Sequence, residues 1–209
     1  MKNFSMIAGV LLGSVILVSL VAVMFSKKAS TPIDMTRLVR NERIATGSAK
    51  PKVTIVEFSD LQCPACKASA PYVKQIVQTL PDVRLVYRHF PLTGIHKNAL
   101  AAAQAAEAMQ IKGKFWEFHD ILFEKQSDWE KLSDSEAKKK FGEYAQTLGV
   151  MPEDLQKATE DQATQKNVNE DISDGNVLGI SGTPTFYVNG KKVDVKELQQ
   201  AVESALKVE

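Results

Sequence analysis

A chain of 209 residues, 44% hydrophobic and 24% charged, is long enough to bury a sizeable core and suits one globular domain with an appendage. The formal net charge of +1 argues against a nucleic-acid or other polyanionic partner. Two cysteines and three scattered histidines, His89, His96 and His119, leave too few ligands at metal spacing for a zinc site or an iron–sulfur cluster.

The first element in chain order is the run from Phe4 to Phe25, 22 residues without a charge, long enough to cross a bilayer core of about 30 Å as a helix. A cleaved signal peptide is the alternative. Its apolar region is usually only about 7–15 residues with a small-residue cleavage site beyond, whereas Ser26-Lys27-Lys28 follows here, so an uncleaved anchor over residues 1–28 is expected. Lys27, Lys28, Arg37, Arg40 and Arg43 follow the span and only Lys2 precedes it, which by charge alone votes for a cytosolic domain. Long domains translocate largely regardless of flanking charge, and the cysteine chemistry below is most useful in an oxidising compartment. The expected location is therefore single-pass membrane anchoring, with the domain on the extracytoplasmic side of a bacterial envelope.

Residues 29–50 read as a polar linker with a short strand near Met35 to Val39, and residues 51–209 as the folded domain. Val53 to Phe58 is a near-continuous apolar, β-branched run, the pattern of a strand buried on both faces. A helix follows from Cys63 to about Leu80, with Pro64 suiting its first turn and Pro71 expected to kink its interior. Val83 to Tyr87 is the second strand. About 93–178 is then a helical block of about four helices, with Gly113, Gly142 and Gly149 as breaks and Glu153 to Asp174 as one polar helix. Lys138-Lys139-Lys140 reads as a solvated helix face. Thr185 to Val188 is a strand, Asn189-Gly190 a hairpin turn, Lys192 to Val195 its partner, and Lys196 to Val208 the closing helix.

Cys63-Pro64-Ala65-Cys66 holds both cysteines where a strand runs into a helix. Only the thiolate attacks disulfides, and a Cys-x-x-Cys thiol at a helix start has its pKa lowered from about 8.5 to roughly 3.5–7.5. Cys63 is thus expected to be the reactive sulfur. Cys66 comes round to nearly the same helix face one turn deeper, placed to close a redox-active disulfide. Haem attachment needs histidine after the second cysteine, and Lys67 stands there. A purely structural disulfide would constrain the unfolded chain very little across so short a loop.

The order of strand, Cys-x-x-Cys helix, strand, helical block, Gly-Thr-Pro, hairpin and helix resembles the DsbA-like branch of the thioredoxin superfamily. The stretches that carry it are VTIVEFSDLQCPAC (Val53 to Cys66), YRHFPL (Tyr87 to Leu92), KFWEFHDILF (Lys114 to Phe123) and GTPTFYVNG (Gly182 to Gly190). The resemblance implies an α/β thioredoxin fold with the helical block inserted before the cis-proline strand. It also implies a thiol–disulfide oxidoreductase, oxidising dithiols of exported proteins, without a cofactor and with a membrane partner that resets the cysteine pair. Pro71 resembles the kink proline of such active-site helices. Glu57 resembles the buried acid that relays protons to the inner cysteine, and Thr183-Pro184 the cis-proline loop where an extended substrate pairs with the backbone. His89 and His96 are near the site in sequence only. Pro64 and Ala65 depart from the Pro-His pair of the best-known oxidants, so an anchored reductase or isomerase stays open, as does a peptide-binding or redox-sensing module without turnover.

Overall fold

The computed structural model describes residues 38, 39 and 43–208. The expected anchor at residues 4–25 and most of the expected linker lie outside them. Among the described residues no helix is long and apolar enough to cross a membrane.

Among the described residues five strands form one sheet in the order β1-β3-β2-β4-β5: β1 (Ala45–Gly47), β2 (Val53–Ser59), β3 (Val83–His89), β4 (Thr185–Val188) and β5 (Lys191–Val193). The parallel pair β2 and β3 runs in register from Val53↔Val83 to Ser59↔His89. Helix α1 (Pro64–Thr79) crosses between them, as a parallel connection requires. The insertion between β3 and β4 holds α2 (Ala99–Ile111), α3 (Phe115–Glu124), α4 (Gln126–Trp129), α5 (Asp134–Thr147), α6 (Pro152–Glu160) and α7 (Gln162–Val177). A 3₁₀ turn (Val195–Glu197) leads into α8 (Leu198–Leu206).

The two-residue period of the strands divides their side chains between two buried faces. On the first, Val53, Ile55, Val83, Leu85, Phe186 and Val188 pack against Val73 and Ile76 of α1 and Leu198 and Val202 of α8. On the second, Val56, Phe58, Val86 and Tyr187 pack with Leu38, Phe90 and Ile180. Helix α7 meets this second face through Asp171 and Asp174, which take the fully buried Arg88. The insertion has its own aromatic core, in which Trp129 and Phe141 meet edge to face with centroids 5.1 Å apart. A fully buried side chain of this size contributes about 1.5–3 kcal/mol.

Several expectations need correction. The helical block contains six helices rather than about four. Gly142 is not a break: it lies buried inside α5, where a Cβ would come within 3.0 Å of Pro152, so its small size serves close packing. Glu153 to Asp174 is two helices, because Asp161 leaves helical geometry (φ −62°, ψ 136°) and caps α7 through its side chain on Ala163 N–H. Leu38 and Val39 take no part in the sheet, whose first strand is Ala45–Gly47. The hairpin partner is Lys191–Val193, turned by Asn189 and Gly190 at φ 44° and 82° as the Asn-Gly pair predicts.

Candidate active site

Cys63 occupies the N-cap of α1 in extended conformation (φ −75°, ψ 124°), and Pro64 opens the helix. Proline there loses no helical hydrogen bond, and the helix start favours negative charge on the sulfur. The Cys63 sulfur lies 3.4 Å from the Thr183 carbonyl oxygen, and the Thr183–Pro184 peptide bond is cis, as the resemblance implied. The cysteines are not joined to each other. A hydrogen bond from the Cys66 thiol outweighs burial and lowers the Cys63 thiol to about 5, aided by the backbone N–H groups of Cys66 and Ala65 and by the Thr183 side chain. Burial first, then the hydrogen bond it gives Cys63 and the charge of Glu57, push the Cys66 thiol far up. One sulfur is thus prepared as a thiolate and its neighbour as a thiol.

Glu57 stands on the same sheet face, 3% exposed, with Oε1 unpartnered among the protein's groups. Burial raises its carboxyl to about 7, the neighbouring Ser59 hydroxyl opposing. Tyr87, opposite Glu57 in the β2–β3 register, has a buried hydroxyl that burial and the Glu57 charge keep protonated. The sequence expected Cys63, Cys66, Glu57, Thr183 and Pro184 at one place. Contacts and charges now link Cys63 to Cys66 and Thr183, and Cys66 to Glu57.

The loop that carries Cys63 is held by residues the sequence did not single out. Asp60 accepts from Gln62 N–H (2.8 Å) and Leu92 N–H (2.9 Å), while its own N–H lies 3.5 Å from the Cys66 sulfur. His96, expected near the site in sequence only, sets Nδ1 2.7 Å from Asp60 Oδ2 and so ties the loop after β3 to the loop before α1. Gln126 of α4 donates to the carbonyls of Leu61 (2.9 Å) and Cys63 (3.3 Å). Gln62 bridges Glu130 O and Asn98 N–H. An aspartate that can accept from the backbone two residues on is a readable turn signal for Asp60; nothing local marks Gln126. His89 lies beside Tyr87, ring centroids 5.2 Å apart, and 3.4 Å from Glu107.

The family model described as Thioredoxin matches residues 40–207. The chain belongs to the thioredoxin family. Disulfide bond formation protein D of Bacillus subtilis is 31% identical, over 74% of this chain and 73% of that protein. The crystal structure of BdbD from Bacillus subtilis superposes with a TM-score of 0.70 at 28% identity, covering 86% of this chain and 98% of the other. A thioredoxin-like oxidoreductase from Silicibacter pomeroyi gives 0.71 at 28%, covering 85% and 100%. DsbA- and BdbD-like thiol–disulfide oxidoreductases are therefore its structural neighbours. A further relative, Na(+)/H(+) antiporter NhaA 1 of Salinispora arenicola, is 33% identical over 76% of this chain, which spans about a quarter (24%) of that protein's length.

Proposed function

We propose that this thioredoxin-family chain is a thiol–disulfide oxidoreductase that works as an oxidant, forming disulfides in exported, cysteine-containing proteins through Cys63-Pro64-Ala65-Cys66. The observation that carries this reading is the unequal pair of sulfurs, Cys63 lowered to about 5 and Cys66 raised. A stabilised Cys63 thiolate favours the reduced form, which makes the disulfide more oxidising, and it is also a good leaving group. A value near 5 lies between the roughly 7 of a reducing thioredoxin and the roughly 3.5 of a strong oxidant.

In this reading a substrate thiolate attacks the Cys63 sulfur of the Cys63–Cys66 disulfide. Cys66 departs, and its sulfur takes a proton from Glu57. The substrate's second thiolate then attacks its own sulfur in the mixed disulfide, closes the substrate disulfide and releases the Cys63 thiolate. Resetting reverses the logic: Cys63 attacks a partner's disulfide, Glu57 takes the Cys66 proton, and Cys66 attacks Cys63 and expels the partner's thiolate. Two electrons and two protons pass from substrate dithiol to partner disulfide, with no cofactor. The Thr183 backbone supports an extended substrate beside Cys63. Residues 4–25 anchor the domain outside the cytoplasm, beside a membrane partner that reoxidises it.

Replacing Cys66 by Ala tests direction and class together, since Cys63 then stays joined to what it last met. The expected result is adducts that vanish on reduction and are absent with Cys63→Ala, comprising many exported proteins and one membrane protein. One or two clients with a reductant donor would mean a reductase. No adducts from folded protein in its own compartment would leave a binding module.

A further inference from the structure

Proton transfer at Cys66 raises a question that the cysteines and Glu57 do not answer. Glu57 is buried, and each cycle obliges it to lose and regain a proton. A cavity of about 110 Å³ lies beneath α1, lined among others by Glu57, Lys74, Trp116, His119 and Asp120. That volume accommodates several waters; Ala70, Val73, Val77, Leu85 and Trp116 make much of the wall apolar, and Glu57, His119 and Asp120 offer the waters polar partners. A surface groove lined by Lys67, Pro71, Phe123 and Glu124 shares Lys74 and Asp120 with the cavity, so these two side chains stand where interior meets solvent. Lys74 Nζ lies 2.6 Å from Asp120 Oδ2, and His119 Nδ1 lies 3.0 Å from Asp120 Oδ1. Asp120 is half-exposed, whereas His119 is buried.

We propose that His119 is a positioning residue for the thiol–disulfide reaction, passing the Glu57 proton between the inner end of the cavity and the exposed Asp120–Lys74 pair at its mouth. The inference rests on the oxidoreductase reading above and extends it to a group that never touches the sulfurs. When Cys66 closes the disulfide, its proton goes to Glu57, then through the cavity to His119, and leaves at Asp120 to bulk water. When Cys66 departs, the proton runs inward.

The surroundings of His119 suit a carrier that does not keep its proton. Burial lowers its basicity, against the hydrogen bond and charge of Asp120. The rings of Tyr87, Phe115, Trp116 and Phe123 surround it with centroids 4.8–5.8 Å away, fixing the imidazole plane. The charged and titratable groups around it are Asp120 from its own helix, Lys74 from α1, Tyr87 and His89 from β3, and Glu57 from β2 across the cavity. Lys74 and His89, when charged, oppose its protonation and Asp120 favours it.

The test follows reoxidation of the reduced full-length protein, in detergent, by oxidised glutathione in two steps. Formation of the Cys63–glutathione mixed disulfide reports Cys63. Closure of Cys63–Cys66 with release of glutathione reports the Cys66 proton. His119→Phe keeps the aromatic packing and should leave the first step unchanged, while closure slows on the order of tenfold between pH 6 and 8. That loss is smaller than the roughly 10²–10⁴ a base in direct contact contributes. His119→Ala opens room for a small base, so added imidazole should restore its closure rate, most at pH values where imidazole is neutral. Closure by His119→Phe at the wild-type rate overturns the proposal. So does slow closure by a folded His119→Ala that imidazole does not relieve, which would leave His119 a packing residue. Wild-type protein that forms no mixed disulfide would overturn the oxidoreductase reading itself.

Discussion

The two faces of the central sheet each bury carboxylates, and they treat them in opposite ways. On the α1 face Glu57 has, among the described residues, no ion pair and one oxygen without a hydrogen-bond partner, and its carboxyl is raised to about 7. On the α7 face, one register position from Glu57, Arg88 stacks over Phe58 at 5.3 Å and binds Asp171 (2.6 Å) and Asp174 (2.7 Å). Arg43 joins this group at the edge, reaching Asp171 (2.9 Å) and Glu107 (2.7 Å). Burial would raise Glu107 as it raises Glu57, but His89 3.4 Å away and the Arg43 ion pair outweigh it and hold Glu107 at about 2, with Asn167 also donating to the oxygen that takes Arg43. The lesson is that burial alone does not mark a working acid. A buried carboxylate with partners holds elements together, and one left short of partners is ready to exchange a proton.

Removing Asp171 should have the largest effect, because it takes one buried carboxylate from both Arg88 and Arg43 and leaves the His89 N–H unmet. Asp171→Ala is expected to destabilise the domain by about 3–5 kcal/mol in urea unfolding, with Cys63 alkylation unchanged in the protein that still folds. A loss below about 1 kcal/mol would mean that the two faces do not differ in kind.

Glu57→Gln should do the reverse. The folded carboxyl holds its proton up to about pH 7, while the unfolded one releases it near 4.5. Its contribution is therefore whole below pH 4.5 and lost as pH rises through 7. A neutral amide escapes that loss, so Glu57→Gln is expected to stabilise the domain by about 3 kcal/mol at pH 8 and hardly at all at pH 4, while disulfide exchange slows. Equal stability at both pH values would show that Glu57 is not raised.

Tyr87→Phe gives the smallest expected change. Among the described residues the hydroxyl it removes has no partner at hydrogen-bond geometry, so stability should move by less than about 1 kcal/mol. The pH dependence contributed by Glu57 should persist, because burial rather than Tyr87 is its main cause. Loss of that dependence would transfer the role of burial to the tyrosine.

What was legible in the sequence follows the range of the interactions. Strand β2, the start of α1 and the Asn189-Gly190 turn are decided by neighbours a few residues apart, and they were readable to within a residue or two. Gly142 misled because its helix is stabilised by packing on Pro152, which overrides its low local propensity. The brace from Gln126 to Leu61 spans 65 positions, and the bond from Arg88 to Asp171 spans 83. No periodicity announces either. Cys63 and Cys66 were legible from spacing, whereas Glu57 and Thr183 needed the family resemblance, since a lone acid in a strand and a Thr-Pro pair carry little signal of their own.

The sheet also ends in a way that bears on the company the protein is proposed to keep. Both outer strands, β1 and β5, are three residues long, and β5 exposes the adjacent Lys191 and Lys192. Borders this short, one of them lysine-bearing, offer an unfolded chain few free backbone groups to zip onto. For a domain proposed to act on incompletely folded polypeptides, such edges are a guard against co-aggregating with them.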